Sequence, residues 1–339
     1  MREPRGFTGR DRKPALYCEG PILEKKSHMS TVLHLDDRTA FVDVLHQGHR
    51  SAIGTGVLRT SDGIGLVDPG PEACLLELRA RLDELGHALA DVRAVLLTHI
   101  HLDHATASGA IVREVPEARV YVHPRGAVHM IDPTRLLASA RRIYGDQMET
   151  LWGEFVHVSA DSVVEVDEGD TVELGDRLLE VAYVPGHAKH HVAYFEASSG
   201  TAWVGDVGGI RIPPGLPMPV TPPPDIDLEA WDASIDRVLE WQPRRIVPTH
   251  FGPWDDPAGH FAELRRGLVR WADYVKASLE DDDPSGDDEA GDLERAREFG
   301  TWAEADARER MPPEAVDVYN AAFNFADSWW GLARYWRKR

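Results

Sequence analysis

Between residues 31 and 68, apolar and polar side chains alternate in short runs, at 39–45 and 51–59. Glycine-containing breaks separate them and Gly65-Leu66-Val67 closes the series, which predicts the strands of an antiparallel meander. Pro71 then opens a helix whose Leu75, Leu76, Leu78, Leu82 and Leu85 recur at helical spacing, with Gly86 placed to cap it. A mainly apolar run at 92–98 predicts a buried strand. A helix at 105–114, a strand at 119–123 and a helical, arginine-bearing stretch at 124–153 follow. Strand patterns return at 162–166, 170–174 and 177–184, and Ser198-Ser199-Gly200 turns a hairpin between 191–195 and 202–204. Asp227 is placed to cap a helix burying Leu228, Trp231, Ile235, Val238 and Leu239, and 245–248 is one more short strand. Strands, then alternating strand and helix, then strands again is the order of two mixed sheets packed together with helices outside, an α/β (α+β) class.

The pattern changes after residue 257. Residues 280–294 hold nine acidic side chains and no basic one, which reads as a solvated loop. Beyond them Tyr319, Phe323, Ala326 and Trp330, with Trp329, Ala333 and Trp336, fall at three- and four-residue spacings. This apolar helical stripe suits docking on the main body or on a second copy of the chain as a homodimer; lining a substrate pocket is the alternative. The chain thus divides into an N-terminal extension at 1–28, poorly ordered or partly docked, a body at 29–257 and a helical C-terminal extension at 258–339.

Composition narrows the partners. With 37 basic and 57 acidic side chains the formal net charge is −20, which argues against nucleic acid and anionic membrane, since both require a basic face. Cys18 and Cys74 are too few for a disulfide framework or a cysteine-rich metal site. Residues 1–28 carry seven Arg or Lys and no continuous apolar run, so they read as neither signal peptide nor membrane anchor, and a cytoplasmic location is expected. Six Lys against 31 Arg reflects GC-rich codons or a surface adapted to salt. The 16 histidines matter through where they cluster.

The decisive segment is Thr98-His99-Ile100-His101-Leu102-Asp103-His104, in which four ligand-type side chains occur within six residues at the end of a predicted strand. Alternate side chains of an extended run point the same way, so His99 and His101 converge, with Asp103 and His104 in the following turn. Burying four such groups without a metal would be costly. Pro185-Gly186-His187, Gly205-Asp206 and Pro248-Thr249-His250 each place a further donor at a predicted strand end. Imidazole and carboxylate suit two divalent ions, zinc first, with iron, manganese or cobalt also compatible. Such a pair shares a hydroxide and lowers the pKa of bound water to about 7, and Asp103 is placed to orient it.

With these residues assembled, the sequence resembles the metallo-β-lactamase superfamily. His99, His101, Asp103 and His104 meet its H-x-H-x-D-H motif, and His187, Asp206 and His250 its later elements, over roughly residues 31–255. The resemblance implies an αββα sandwich. It also implies one metal on His99, His101 and His187, a second on Asp103, His104 and His250, and a bridging Asp206 that joins Asp103 in the catalytic centre. Asp68, in Val67-Asp68-Pro69-Gly70, matches an Asp that supports the ligands from behind, and His191 a recurrent His that either does the same or packs. The expected activity is hydrolysis of a small ester, lactone, thioester or phosphotriester by a metal-bridging hydroxide. Asp206 stands where antibiotic-hydrolysing members carry Cys, the net charge argues against the nucleases, and diiron flavoproteins have Glu where His101 stands.

Glyoxalase II and mononuclear iron persulfide dioxygenases carry most of the same motifs. An iron oxidoreductase using His99, His187 and Asp206 is therefore the alternative, and a metal-stabilised binding protein closed by the aromatic C-terminal segment the second. Residues 207–224 hold seven prolines with Ile210, Ile212, Leu216 and Met218, either a pocket wall or a rigid surface loop. With 249–253 and 139–153 this segment looks most like a subgroup of small metallo-hydrolases, some of which resemble lactonases and phosphotriesterases. Tyr144, Lys189, His190 and Arg211 are candidates for holding a substrate oxygen.

Overall fold

The computed structural model describes residues 30–280 and 289–339; the expectations for 1–28, including Cys18, and for 281–288 lie outside the described residues. β1 (Val32–Asp36), β2 (Thr39–Asp43), β3 (Gly54–Arg59) and β4 (Ile64–Val67) form the antiparallel meander. β5 (Val92–Leu96), β6 (Arg119–Val122) and β7 (Val163–Glu165) extend it in parallel, giving seven strands in chain order. Parallel neighbours require crossovers. These are α1 (Leu75–Glu84), then α2 (Leu102–Ala105) with α3 (Ala107–Glu114), then α4 (Pro124–Ile131), α5 (Thr134–Tyr144) and α6 (Met148–Trp152). The second sheet contains β8 (Thr171–Leu174), β9 (Arg177–Tyr183), β10 (Val192–Glu196), β11 (Thr201–Trp203) and β12 (Arg245–Val247) in the order 12-11-10-9-8. Only β11 and β12 run parallel, joined through α7 (Leu228–Glu240).

The two sheets bury a common layer in which Phe41, Leu58 and Leu96 of the first meet Val181, Tyr194, Trp203 and Val247 of the second. Each such side chain contributes about 1.5–3 kcal/mol. Helices cover both outer faces, so the architecture is an αββα sandwich. α8 (Pro257–Ser278), α9 (Glu289–Arg310), α10 (Pro313–Ala322) and α11 (Asp327–Arg337) form the helical extension. Trp271 of α8 anchors it, packing edge-on against Phe299 and Phe325 at 5.3 and 6.0 Å between centroids. None of the described helices is long and apolar enough to cross a membrane.

Local chemistry moves several expected boundaries. β2 stops at Asp43 because the carboxylate of Asp43 accepts the N–H groups of Leu45 and Ser51 at 3.0 and 2.8 Å, pulling the chain into a loop in which Leu45 has φ 49°. The helical stretch at 124–153 is three helices, interrupted at Pro133, which has no N–H to donate, and at Gly145, whose φ of 53° suits glycine. Leu76, counted as core from its spacing, is 80% exposed. The acidic run is not all loop, since residues 289–294 belong to α9. Asp292 there is buried and bidentate to Arg337 at 2.6 and 2.7 Å, so the ion pair holds α9 on α11. The aromatic stripe is likewise two helices broken at 323–326.

Candidate metal centre and substrate cavity

The carboxyl ends of β4, β5, β9, β11 and β12 and the start of β10 share one edge of the sandwich, and each delivers a side chain there. Gly186 and Gly205 make this possible. A Cβ on Gly186 would collide with Trp231 and one on Gly205 with Thr98 and His191, and both residues have positive φ. These are the small residues that precede His187 and Asp206 in the sequence.

Three groups of potential ligands have their donor atoms within 4.8 Å of one another: His99, His101 and His187; His99, His104 and Asp206; and Asp103, His104 and His250. Asp206 stands between the two halves. Its Oδ2 lies 3.4 Å from His187 Nε2 and 4.0 Å from His99 Nε2, while Oδ1 lies 3.4 Å from both His104 Nε2 and His250 Nε2. Asp103 Oδ2 is 3.2 Å from His250 Nε2 and 3.6 Å from His104 Nε2, and His101 Nδ1 is 2.9 Å from His187 Nε2.

The ring orientations are fixed from behind. His104 Nδ1 faces Asp68 Oδ2 at 2.9 Å, His187 Nδ1 faces the Val220 carbonyl at 2.9 Å, and His250 Nδ1 faces the Ala52 carbonyl at 2.7 Å. A proton on each Nδ1 leaves Nε2 as the donor atom. Asp68, buried with φ 47°, also accepts from Thr98 N, Thr98 Oγ1 and Thr249 Oγ1. His191 Nε2 accepts the backbone N–H of Asp206 at 3.1 Å, so this residue positions Asp206 between the two groups of histidines.

Burial, helped by neighbouring histidines, lowers His99 and brings His101 down to about 4. His187 is lowered chiefly by burial. Burial also works against charge on His104 and His250, but Asp103 and Asp206 outweigh it and hold both raised. The two carboxylates resist the upward push of burial in return and lie below the usual range. Among the described residues His99 Nε2, His104 Nε2, His250 Nε2 and Asp206 Oδ1 are buried and make no hydrogen bond. An unsatisfied buried polar atom costs about 1–3 kcal/mol. Four of them converging, all of imidazole or carboxylate type, fit divalent metal.

The sequence comparisons agree with this geometry. The model of the metallo-beta-lactamase superfamily matches residues 51–250. The chain belongs to this superfamily. Among similar proteins, a metallo-beta-lactamase fold-containing protein of Sulfurisphaera tokodaii is 28% identical over 161 residues, covering 47% of this chain and 60% of that protein. A hydroxyacylglutathione hydrolase of a Synechococcus strain is 31% identical over 141 residues, 42% of each chain. The matches therefore span about half the length of these relatives. A solved metallo-beta-lactamase family protein of Thermus thermophilus shares the fold with TM-score 0.60 at 22% identity, covering 84% of this chain and 88% of that one.

A cavity of about 330 Å³ opens onto His101, Asp103, His187, Asp206 and His250. One wall is the face of α5 bearing Leu136, Ser139, Ala140, Ile143 and Tyr144. A second is the proline-rich loop at Met218, Pro219, Val220 and 222–224. The C-terminal extension supplies the third, through Trp271, Tyr319 and the break between α10 and α11. The proline-rich segment is thus a pocket wall, and Val220 at the same time fixes the tautomer of His187.

Tyr144 and His190 line this cavity. Lys189 does not; its side chain is 60% exposed and pairs with Asp225 at 3.0 Å. Arg211 is also turned away, its guanidinium 3.6 Å above the Trp254 ring and its Nε donating to the Gly215 carbonyl. The polar lining residues that sequence reasoning missed include His129, Arg135, Ser139, Asp225, Asn324, Asp327 and Ser328. The spacing of Leu136, Ser139 and Ile143 on one helix face was a usable signal for the α5 group. For the C-terminal group the aromatic stripe was the signal: Tyr319 and Phe323 line the cavity, the alternative given to that stripe, while the helix break that brings in Asn324, Asp327 and Ser328 was hidden inside it.

Proposed function

We propose that the protein is a dinuclear metal-dependent hydrolase acting on a small ester, lactone, thioester or phosphotriester with an apolar body. The observation that supports this best is the division of donors across Asp206, with His99 and His187 toward one carboxylate oxygen and His104 and His250 toward the other. His99, His101 and His187 would hold one ion, Asp103, His104 and His250 the second, and Asp206 both, with zinc the best match to the donors. Ions held there would supply a hydroxide nucleophile at neutral pH and would polarise the acyl or phosphoryl oxygen.

The remaining roles belong to the chain itself. Asp103, kept ionised beside His104 and His250, can accept a hydrogen bond from the attacking water and aim it. Asp68 and His191 hold the ligands in place. The walls of α5, the proline loop and the C-terminal extension bury the apolar part of the substrate and exclude bulk water. The hydroxyacylglutathione hydrolase among the similar proteins supports keeping thioesters in the substrate class. Elemental analysis of natively purified protein should give two divalent metals per chain, and His101→Ala should lower metal content and turnover together. A panel of esters, lactones, thioesters and phosphotriesters hydrolysed no faster than by metal-stripped protein would sink the proposal. One iron per chain, with oxygen uptake on adding a persulfide, would replace it with the oxidoreductase.

A further inference from the structure

The segment that joins α10 to α11 leads from the metal ligands into the cavity wall. Phe323 packs edge-on against His250, 5.0 Å between centroids, and Asp327 follows four residues later as a lining residue. Four residues span at most about 14 Å, so the Asp327 carboxylate stands within reach of a short substrate whose reacting bond lies at the metal ligands. The cavity it lines also carries the apolar Phe325, Trp271 and Met218, with Asn324 and Ser328 as polar neighbours of Asp327 in the chain.

This carboxylate has no ion-pair partner; it begins α11, whose N-terminal partial charge offsets only part of its own. The amide of Asn324 donates to Oδ1 at 3.4 Å, and among the described residues no Lys, Arg or His forms an ion pair with it. The cavity's other acid outside the metal centre, Asp225, is neutralised by Lys189. Arg135, exposed at the rim, makes no ion pair with Asp327 either. Burial alone pushes Asp327 up to about 7, with no charged neighbour offsetting it. Leaving a carboxylate unpaired in such a wall is costly, and a cation brought by a ligand offsets that cost.

We propose that Asp327 is a specificity-determining residue that pairs with an ammonium or similar cationic group of the substrate, separated by a short hydrocarbon from the bond that reacts. The position of the reacting bond rests on the hydrolase reading; the cation site does not. The test is calorimetric binding of n-hexylammonium and n-hexanol to the natively purified protein, read without turnover. The expected result is about tenfold or more tighter binding of the ammonium. Asp327→Asn should remove that preference and leave hexanol affinity within about twofold, which also serves as the folding control, and Asp327→Glu should restore part of it. Equal affinity of the wild-type protein for the two probes, or equal loss of both in Asp327→Asn, would overturn the proposal. If Asp327→Asn does not fold, Asp327→Glu carries the comparison, and equal affinity of the wild-type protein for the two probes still overturns the proposal. A protein that hydrolyses nothing in the panel yet prefers the ammonium would lose the hydrolase reading and keep this one.

Discussion

The carboxylate of Asp68 accepts from Thr98 N, Thr98 Oγ1 and Thr249 Oγ1 at 2.7 to 2.8 Å and faces His104 Nδ1 at 2.9 Å, fully buried behind the proposed metal ligands. Asp68→Ala would strand these partners at about 1–3 kcal/mol each and free the His104 ring to turn. The expected outcome is a 10- to 100-fold loss of affinity at the site formed by Asp103, His104 and His250, roughly the cost typical of removing such a support. Chelator competition measures it, and affinity within twofold of wild type would show that the ring is held by packing instead. At this scale the candidate ligands stand out in the sequence because four donors packed into six residues at a strand end are costly to bury without a metal, and the structure brings them together. Asp327 was not legible, since a polar residue at a helix start reads the same whether it faces water or a cavity. Lys189 and Arg211 misled for a related reason: each is charged and near a motif, but Asp225 and the Trp254 ring satisfy them elsewhere.

The element that periodicity read best is α7, whose Asp227 cap accepts from Ala230 N at 3.0 Å and whose Trp231, Ile235 and Val238 are buried as spaced. Periodicity cannot show where side chain to backbone bonds end an element, and it missed the limit of β2 and the break between α10 and α11. That break matters because α10 holds the proline-rich wall. Tyr319, fully buried, donates its hydroxyl to the Leu216 carbonyl at 2.6 Å and accepts the Ile212 N–H at 2.8 Å, tying 212–216 to the C-terminal extension. Tyr319→Phe leaves both backbone groups without that partner and should cost about 1–3 kcal/mol of stability. Denaturant titration gives the cost, and metal content, set by residues on other elements, should not change. Loss of metal in this variant would mean that the wall also holds His187 through Val220, which accepts its Nδ1 proton.

Over the whole molecule, arginine outnumbers lysine 31 to 6, and the structure gives the fork of the guanidinium a use that codon bias alone does not. Arg265 of α8 spans Asp232 and Asp236 of α7 at 2.6 and 2.7 Å, and Arg310 of α9 spans Glu263 of α8 and Asp306 of its own helix at 2.9 and 2.7 Å. Each pair at the surface is worth about 0–1 kcal/mol and is weakened by salt. The excess of 20 negative charges acts in the other direction, since self-repulsion destabilises the compact state and is also screened by salt. The Debye length falls from about 10 Å at 0.1 M to about 3 Å at 1 M, a range over which repulsion between separated acids is lost before attraction within a contact pair. The melting temperature should therefore rise as potassium chloride increases from about 0.1 to 1 M, a salt chosen to avoid the surface exclusion that sulfate adds. Differential scanning calorimetry at fixed pH and metal content reads the shift, and a melting temperature that falls with salt would mean that the arginine bridges between α7, α8 and α9 outweigh the net charge.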